Sequence, residues 1–265
     1  MKHMSGYFKA GVVLTAILLV LILVGQFWTP YDPQTMSPSE KLLPPSADHW
    51  MGTDNFGRGI FSRVIRGGGT TLGIALATVM ISCTAGTVIG ALTGYFGGRV
   101  DAILMRFNDA LTAFPSILLA LVFISLLGFG KYNVILALGV AFVPSYARVV
   151  RSEFARHREM NYVKSARLMG ASHSRIMFVH ILPNARGVIL PALVIGFNNA
   201  VLAEASLSYL GMGVRSPDVS LGYMLSESQS YMATAPWYVL CTGGVIVLLI
   251  LGFSLLGEGL QQGRR

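Results

Sequence analysis

Apolar runs of membrane-spanning length alternate with short polar stretches along this chain. A hydrocarbon layer about 30 Å thick takes about 20 apolar residues in helical form. Six stretches meet or approach that length: 8–27, 71–96, 101–127, 132–148, 187–204 and 236–257. The pattern predicts an all-α membrane protein of about six transmembrane helices. Trp28 and Tyr31 follow the first run, where an interfacial aromatic belt lies. Residues 29–66 are rich in Pro, Ser and Asp and read as an extramembrane segment. The third run opens with Asp101, Arg106, Asn108 and Asp109, so its first turns lie outside lipid. Pro115 inside it predicts a kink or the point of membrane entry. The chain divides into 1–70, an anchor helix plus an outer amphipathic segment, and 71–265, a five-helix core. That core contains a polar loop over 149–186.

Residues 162–184, YVKSARLMGASHSRIMFVHILPN, form the most distinctive polar interruption. They predict two short amphipathic helices broken at a glycine. Val163, Ala166 and Gly170 share one helix face. Gly170 fits a helix stop, and Ser172 fits the N-cap of the next turn. Pro183 is expected to close the second helix, because proline cannot continue it. Small residues (Ser165, Ala166, Gly170, Ala171) cluster at the break, which lets another protein approach closely. From spacing alone, an ordinary basic loop and a docking element both stand.

Composition supports the membrane reading. Of 265 residues, 53% are hydrophobic and only 12% charged, against roughly 25% charged in soluble domains; the mean hydropathy is +0.61. The net charge of +8 is distributed by side rather than gathered into a nucleic-acid patch. With the N-terminus placed in the cytoplasm, one side holds fourteen bases: Lys2, Lys9, Arg99, Arg106, Arg148, Arg151, Arg156, Arg158, Lys164, Arg167, Arg175, Arg186, Arg264 and Arg265. The other holds six: Lys41, Arg58, Arg63, Arg66, Lys131 and Arg215. The positive-inside rule then puts both termini and the 162–184 loop in the cytoplasm.

Several chemistries are excluded. Cys83 and Cys241 lie in apolar runs and read as buried thiols, not as a disulfide or metal framework. The histidines (His3, His49, His157, His173, His180) form no HExxH pair or catalytic order, so neither metal site nor enzyme is expected. Gly67-Gly68-Gly69-Thr70-Thr71 lacks the Lys-Ser/Thr of a phosphate loop, so no ATP is bound by such a loop of this chain. Gly97-Gly98 reads as a turn, with Asp101 near a helix N-terminus. Asn198 and Asn199 lie within the fifth run, where they either line a pathway or hydrogen-bond between helices. Glu204, at its outer end, either pairs Arg58 or Arg63 or meets a cationic substrate.

Four motifs in order resemble the permeases of bacterial ATP-driven dipeptide, oligopeptide and nickel importers. The His-x-x-Gly-Thr-Asp-x-x-Gly-Arg run is met by His49, Gly52, Thr53, Asp54, Gly57 and Arg58, while Gly59 replaces the family's Asp and removes a partner for Arg58 or Arg63. Gly94 to Asp101 with Met105-Arg106 and Ala113 to Ser116, and the stretch Ala203 to Gly213, match as well. The fourth is the cytoplasmic "EAA" loop: Lys164-Ser165-Ala166, then Gly170, ending His180-Ile181-Leu182-Pro183-Asn184. Lys164-Ser165 stand where the family has Glu-Ala.

The resemblance implies a type I ABC importer permease fold in a bacterial inner membrane. It implies a second, homologous permease in a heterodimer, two ATPase subunits carrying ATP and Mg, and an extracytoplasmic substrate-binding protein. The ATPase-docking loop would comprise Lys164, Ser165, Ala166, Arg167, Gly170, Ala171, Ser172 and His173, with Leu182 and Pro183 fixing it to the fifth helix. No catalytic, metal or cofactor site is expected in the chain itself. The cargo is expected to be di- or oligopeptides, with nickel or a metal chelate as the alternative. A self-sufficient secondary transporter is a competing class, but it calls for intramembrane ionisable relays and internal repeats that the spans lack.

Overall fold

The computed structural model describes residues 6–262. Lys2, Arg264 and Arg265, used in the charge count, and His3 lie outside the described residues. The elements are α1 (Gly6–Phe27), α2 (Ile60–Phe96), α3 (Gly98–Thr112), α4 (Ser116–Leu127), α5 (Lys131–Arg158), α6 (Asn161–Leu168), α7 (His173–Arg175), α8 (Leu182–Tyr209), α9 (Leu221–Ser228) and α10 (Pro236–Gln262). Among the described residues the only β pairing is a single bridge, Thr53 to Gly59. Among the described residues five helices are long and apolar enough to cross a membrane, or six if α3 and α4 are one broken span. The protein is thus an all-helical membrane chain, as the pattern predicts.

The centre of the bundle is the pair α2 and α5, which pack along most of their lengths. A stripe of glycines on α2 makes that possible. A Cβ at Gly86 would stand 2.5 Å from Tyr146 Cβ, at Gly90 2.6 Å from the Ala147 carbonyl oxygen, and at Gly94 2.5 Å from the Arg151 carbonyl oxygen. Small residues at this four-residue spacing let helix backbones approach closely, which replaces the hydrophobic effect as the source of cohesion in lipid. α8 closes the core against both, while α1 packs on α10 at the periphery.

Each predicted boundary that moved has a physical cause. α2 begins at Ile60, not near residue 71, and runs unbroken across residues 70 and 71. Its early turns were obscured by Arg63 and Ser62, which are nevertheless buried. The third run is two helices bent by 86°. Pro115 stands at the break, in extended backbone that starts α4. α3 is amphipathic and held to α5 by the Asp101–Arg151 pair at 2.5 and 2.6 Å.

The polar loop is shorter than 149–186, because α5 continues to Arg158 and the helix after Ser172 continues into α8. Pro183 does not close that helix, contrary to expectation. It sits in the first turn of α8, directly after a π-helical stretch, Ile176–Ile181. Wider π turns accommodate the bond that proline removes. His173–Tyr209 therefore forms one 37-residue helical run.

Candidate functional site

The loop between α5 and α8 has the two-helix form that its sequence predicts. α6 ends at Leu168, and Gly170 turns the chain at φ +80°. This left-handed region disfavours side chains with a Cβ. Nothing lies within 4 Å of a Cβ placed at Gly170, so the corner stands free. Ser172 caps the next helix, its hydroxyl accepting from the Arg175 amide at 3.4 Å. Val163 and Ala166 turn inward and join Val150, Phe154, Ile176 and Ile181 in a buried cluster, with Ala171 and Leu182 packed on its edge. Lys164, Ser165, Arg167, Ser172, His173 and Pro183 are exposed.

Two features of this corner escaped the sequence reading. Leu168 and Met169, 89% and 82% exposed, project apolar side chains beside Gly170. Together they make a small apolar knob on an otherwise polar corner. Their signal was two adjacent large apolar residues inside a polar run. The second feature is Tyr95, at the end of α2. Its hydroxyl lies 2.9 Å from His173 Nδ1 and accepts from Arg167 at 3.4 Å. The loop is thereby tied to the helix that runs the length of the bundle.

At the other end of the bundle, residues 49–59 form a compact turn rather than an interfacial helix. The Thr53 hydroxyl accepts from the Leu43 amide at 2.8 Å. Gly57 has φ +78°, and a Cβ there would stand 1.8 Å from the Ser37 carbonyl oxygen. Gly52 likewise leaves room for Trp237. Asp54 Oδ1 accepts from the Phe56 and Arg58 amides at 2.8 and 3.0 Å.

Its other oxygen enters a closed ring of four charges. Arg58 donates to Asp54 at 2.7 Å and to Glu227 at 3.1 Å. Arg63 donates to the same two carboxylates at 2.5 and 2.7 Å. Tyr238 joins through its hydroxyl, 3.1 Å from Arg63. The ring pins the turn to α2, α9 and α10, and it supplies partners for Arg58 and Arg63 despite Gly59.

Glu204 plays no part in that ring. It is fully buried, accepts from Ser208 Oγ at 2.7 Å and forms no ion pair among the described residues. The carboxylate that joins Asp54 in pairing Arg58 and Arg63 is Glu227, which the sequence does not single out. Asn198 and Asn199 point different ways. Asn198 donates to Ser254 Oγ of α10 at 2.9 Å. Asn199 faces a cavity of about 520 Å³ between α4, α5 and α8, which Ser116, Ser145, Tyr146 and Ser206 also line. Among the described residues, no Asp, Glu, His, Cys, Lys or Arg lines it.

Residues 86–265 match the family described as "Binding-protein-dependent transport system inner membrane component". The chain belongs to that family. It is 37% identical to the dipeptide transport system permease protein DppC of Alkalihalophilus pseudofirmus, over 95% of this chain and 82% of that protein. It is 37% identical to the glutathione transport system permease protein GsiD of Pectobacterium atrosepticum, over 97% and 87% of the two chains. With the nickel transport system permease protein NikC of Escherichia coli K12 it shares 34% identity, over 96% and 92%. Among solved structures, the inward-facing MetNI methionine ABC transporter matches with a TM-score of 0.63 at 18% identity, over 76% of this chain and 96% of that one. This last likeness shows the permease fold. The permease is therefore a transport component by family, and its five to six apolar helices fit a multi-pass inner-membrane protein.

Proposed function

We propose that this permease is one half of the membrane pathway of an ATP-driven peptide importer and that the corner at Gly170 is where its ATPase engages. The observation that carries this reading is the corner itself: a free glycine turn flanked by exposed Leu168 and Met169 on a helix anchored by a buried cluster. Lys164, Ser165, Arg167, Ser172 and His173 offer polar contacts around that apolar knob. The chain has no phosphate loop of its own, so ATP and Mg belong to two partner ATPases. A second permease completes the pathway, and a binding protein delivers cargo at the opposite, extracytoplasmic face, where the Gly52–Arg58 turn lies. Both termini are cytoplasmic in this reading.

The mechanism is alternating access, by rigid-body movement of packed helices. Closure of the ATPases displaces the corner. The Tyr95–His173 contact and the buried cluster pass that displacement to α2, and the glycine-packed α2–α5 pair moves as one body. Asn199 and the neighbouring hydroxyls line the path. Uncharged hydrogen-bonding groups of this kind suit peptide amides. Nickel or a metal chelate is the second reading, favoured by the likeness to NikC; the lack of carboxylate, imidazole and thiol on the cavity wall counts against a bare ion.

The test is purification of the tagged chain followed by reconstitution. A second permease and an ATPase should accompany it, and vanadate should stop uptake. Vanadate-insensitive uptake by this chain alone would overturn the proposal.

A further inference from the structure

A second cavity, of about 330 Å³, lies where α1 ends and the Gly52–Arg58 turn meets α2. Its walls are aromatic. Tyr31 lies tilted against His49 with ring centres 4.9 Å apart, and Trp50 meets Phe61 edge-on at 4.9 Å. Trp28 forms part of the rim. Among the described residues lining it, the only carboxylate is Asp48 and none is Lys or Arg.

His49 provides an observation independent of the walls. It is 9% exposed, and its Nδ1 has no hydrogen-bond partner. Its Nε2 faces the Glu40 carboxylate at 3.8 Å. The tautomer with the proton on Nε2, toward that carboxylate, leaves Nδ1 as an acceptor. A buried acceptor without a donor costs free energy. On that side no side chain covers it: a Cβ at Gly59 would lie 3.9 Å from Nδ1, and Gly59 itself lines this cavity. Aromatic faces, one carboxylate and a buried acceptor together recognise a primary ammonium, which is attracted to the rings and can donate.

The position selects the source. The cavity is lined by Trp28, the residue directly after α1, and belt aromatics sit at the headgroup level. Leu23, Val24 and Phe27 are exposed on α1 below it, a surface for acyl chains. Across Trp28, which both cavities share, a third cavity of about 510 Å³ is lined by Arg66, Lys131, Asp32 and Asp218; Arg66 is exposed and donates one N–H to the Gln26 carbonyl oxygen, which leaves its other N–H groups for a phosphate. We propose that this cavity binds the ethanolamine headgroup of a phospholipid, with the ammonium against His49 Nδ1 and Asp48 between the aromatic walls and the phosphate toward Arg66.

The full chain, with whatever partners accompany it, is purified in detergent and titrated with phosphatidylethanolamine, phosphatidylcholine, phosphatidylglycerol or free ethanolamine. Bound lipid is read by native mass spectrometry, and protection by the heat-stable fraction. The ethanolamine lipid should be retained preferentially. Trp50→Ala and Asp48→Asn should each weaken it about tenfold, while Leu126→Ala on α4, remote from the cavity, leaves retention unchanged. Phosphatidylcholine has no N–H to offer His49, so equal retention of it would overturn the proposal. Retention of phosphatidylglycerol to the same extent, or no loss in the Trp50 and Asp48 variants, would do the same. Protection by free ethanolamine equal to that by the lipid would assign the cavity to a soluble amine instead and overturn the lipid assignment.

Discussion

Replacing Arg63 with methionine tests whether the four-charge ring holds the extramembrane turn to the bundle. Arg63 is fully buried, as is Asp54; Arg58 and Glu227 are nearly so. Two arginines and two carboxylates make the ring formally neutral. Methionine keeps the apolar stem but removes two of the four ion pairs and the hydrogen bond to Tyr238. One carboxylate charge is then left uncompensated in a buried site. Breaking a buried pair in this way costs about 3–5 kcal/mol. At about 2–4 °C per kcal/mol for a chain approaching this size, the midpoint should fall by roughly 6–20 °C.

The assay is the fraction of the purified chain that stays monodisperse in detergent after heating. The double variant Arg63→Met with Glu227→Gln restores neutrality, since Arg58 and Asp54 still pair. It should therefore be more stable than Arg63→Met alone, and the double-mutant cycle should show strong coupling. An Arg63→Met variant as stable as the parent, or a double variant that is the plain sum of the singles, would refute the reasoning.

Other predictions follow from the same contacts. Gly90→Leu should destabilise the chain by about 1–3 kcal/mol or more through overpacking against Ala147 and Val150, whereas Gly73→Leu, with nothing within 4 Å of its Cβ, should be neutral in the same heating assay. Gly170→Val should fold and insert, at a conformational cost of about 1–2 kcal/mol, yet lose ATPase on co-purification and lose uptake. Tyr95→Phe should leave the complex assembled but lower cargo moved per ATP hydrolysed, because it removes the hydrogen bond joining the loop to α2. Asp101→Ala should cost up to about 1 kcal/mol at low salt and less at high salt, since the pair it makes with Arg151 is partly exposed.

How much of this was legible depended on whether a feature is local. Apolar runs report lipid directly, so 8–27 and 236–257 appear as α1 and α10 with little change. The glycine corner and its Ser172 cap are also local, and both stand where expected. The early turns of α2 were hidden because Arg63 reads as polar until its partners are known. One partner, Glu227, is 164 positions away. Glu204 sits near the end of a run, which left pairing with Arg58 or Arg63 and contact with a cationic substrate both open; it is instead fully buried and accepts from Ser208, with no ion pair among the described residues. Pro183 was read by its ordinary effect, and the π stretch that absorbs it has no sequence signal of its own. Gly86, Gly90 and Gly94 carried a readable four-residue spacing, yet which helix they would meet was a tertiary fact. Asn198 and Asn199 are adjacent in sequence but lie on different faces of α8, so no pattern of polarity could separate their roles.

In the proposed mechanism, energy enters this permease from a docked ATPase through the Gly170 corner. The most direct measurement is uptake of labelled peptide by proteoliposomes holding the purified complex and its binding protein, with ATP or a non-hydrolysable analogue inside, for the parent and for Gly170→Val. The account predicts uptake by the parent with ATP only, and none by the variant despite normal insertion. Uptake that continues without hydrolysis, or that survives in Gly170→Val, would contradict it.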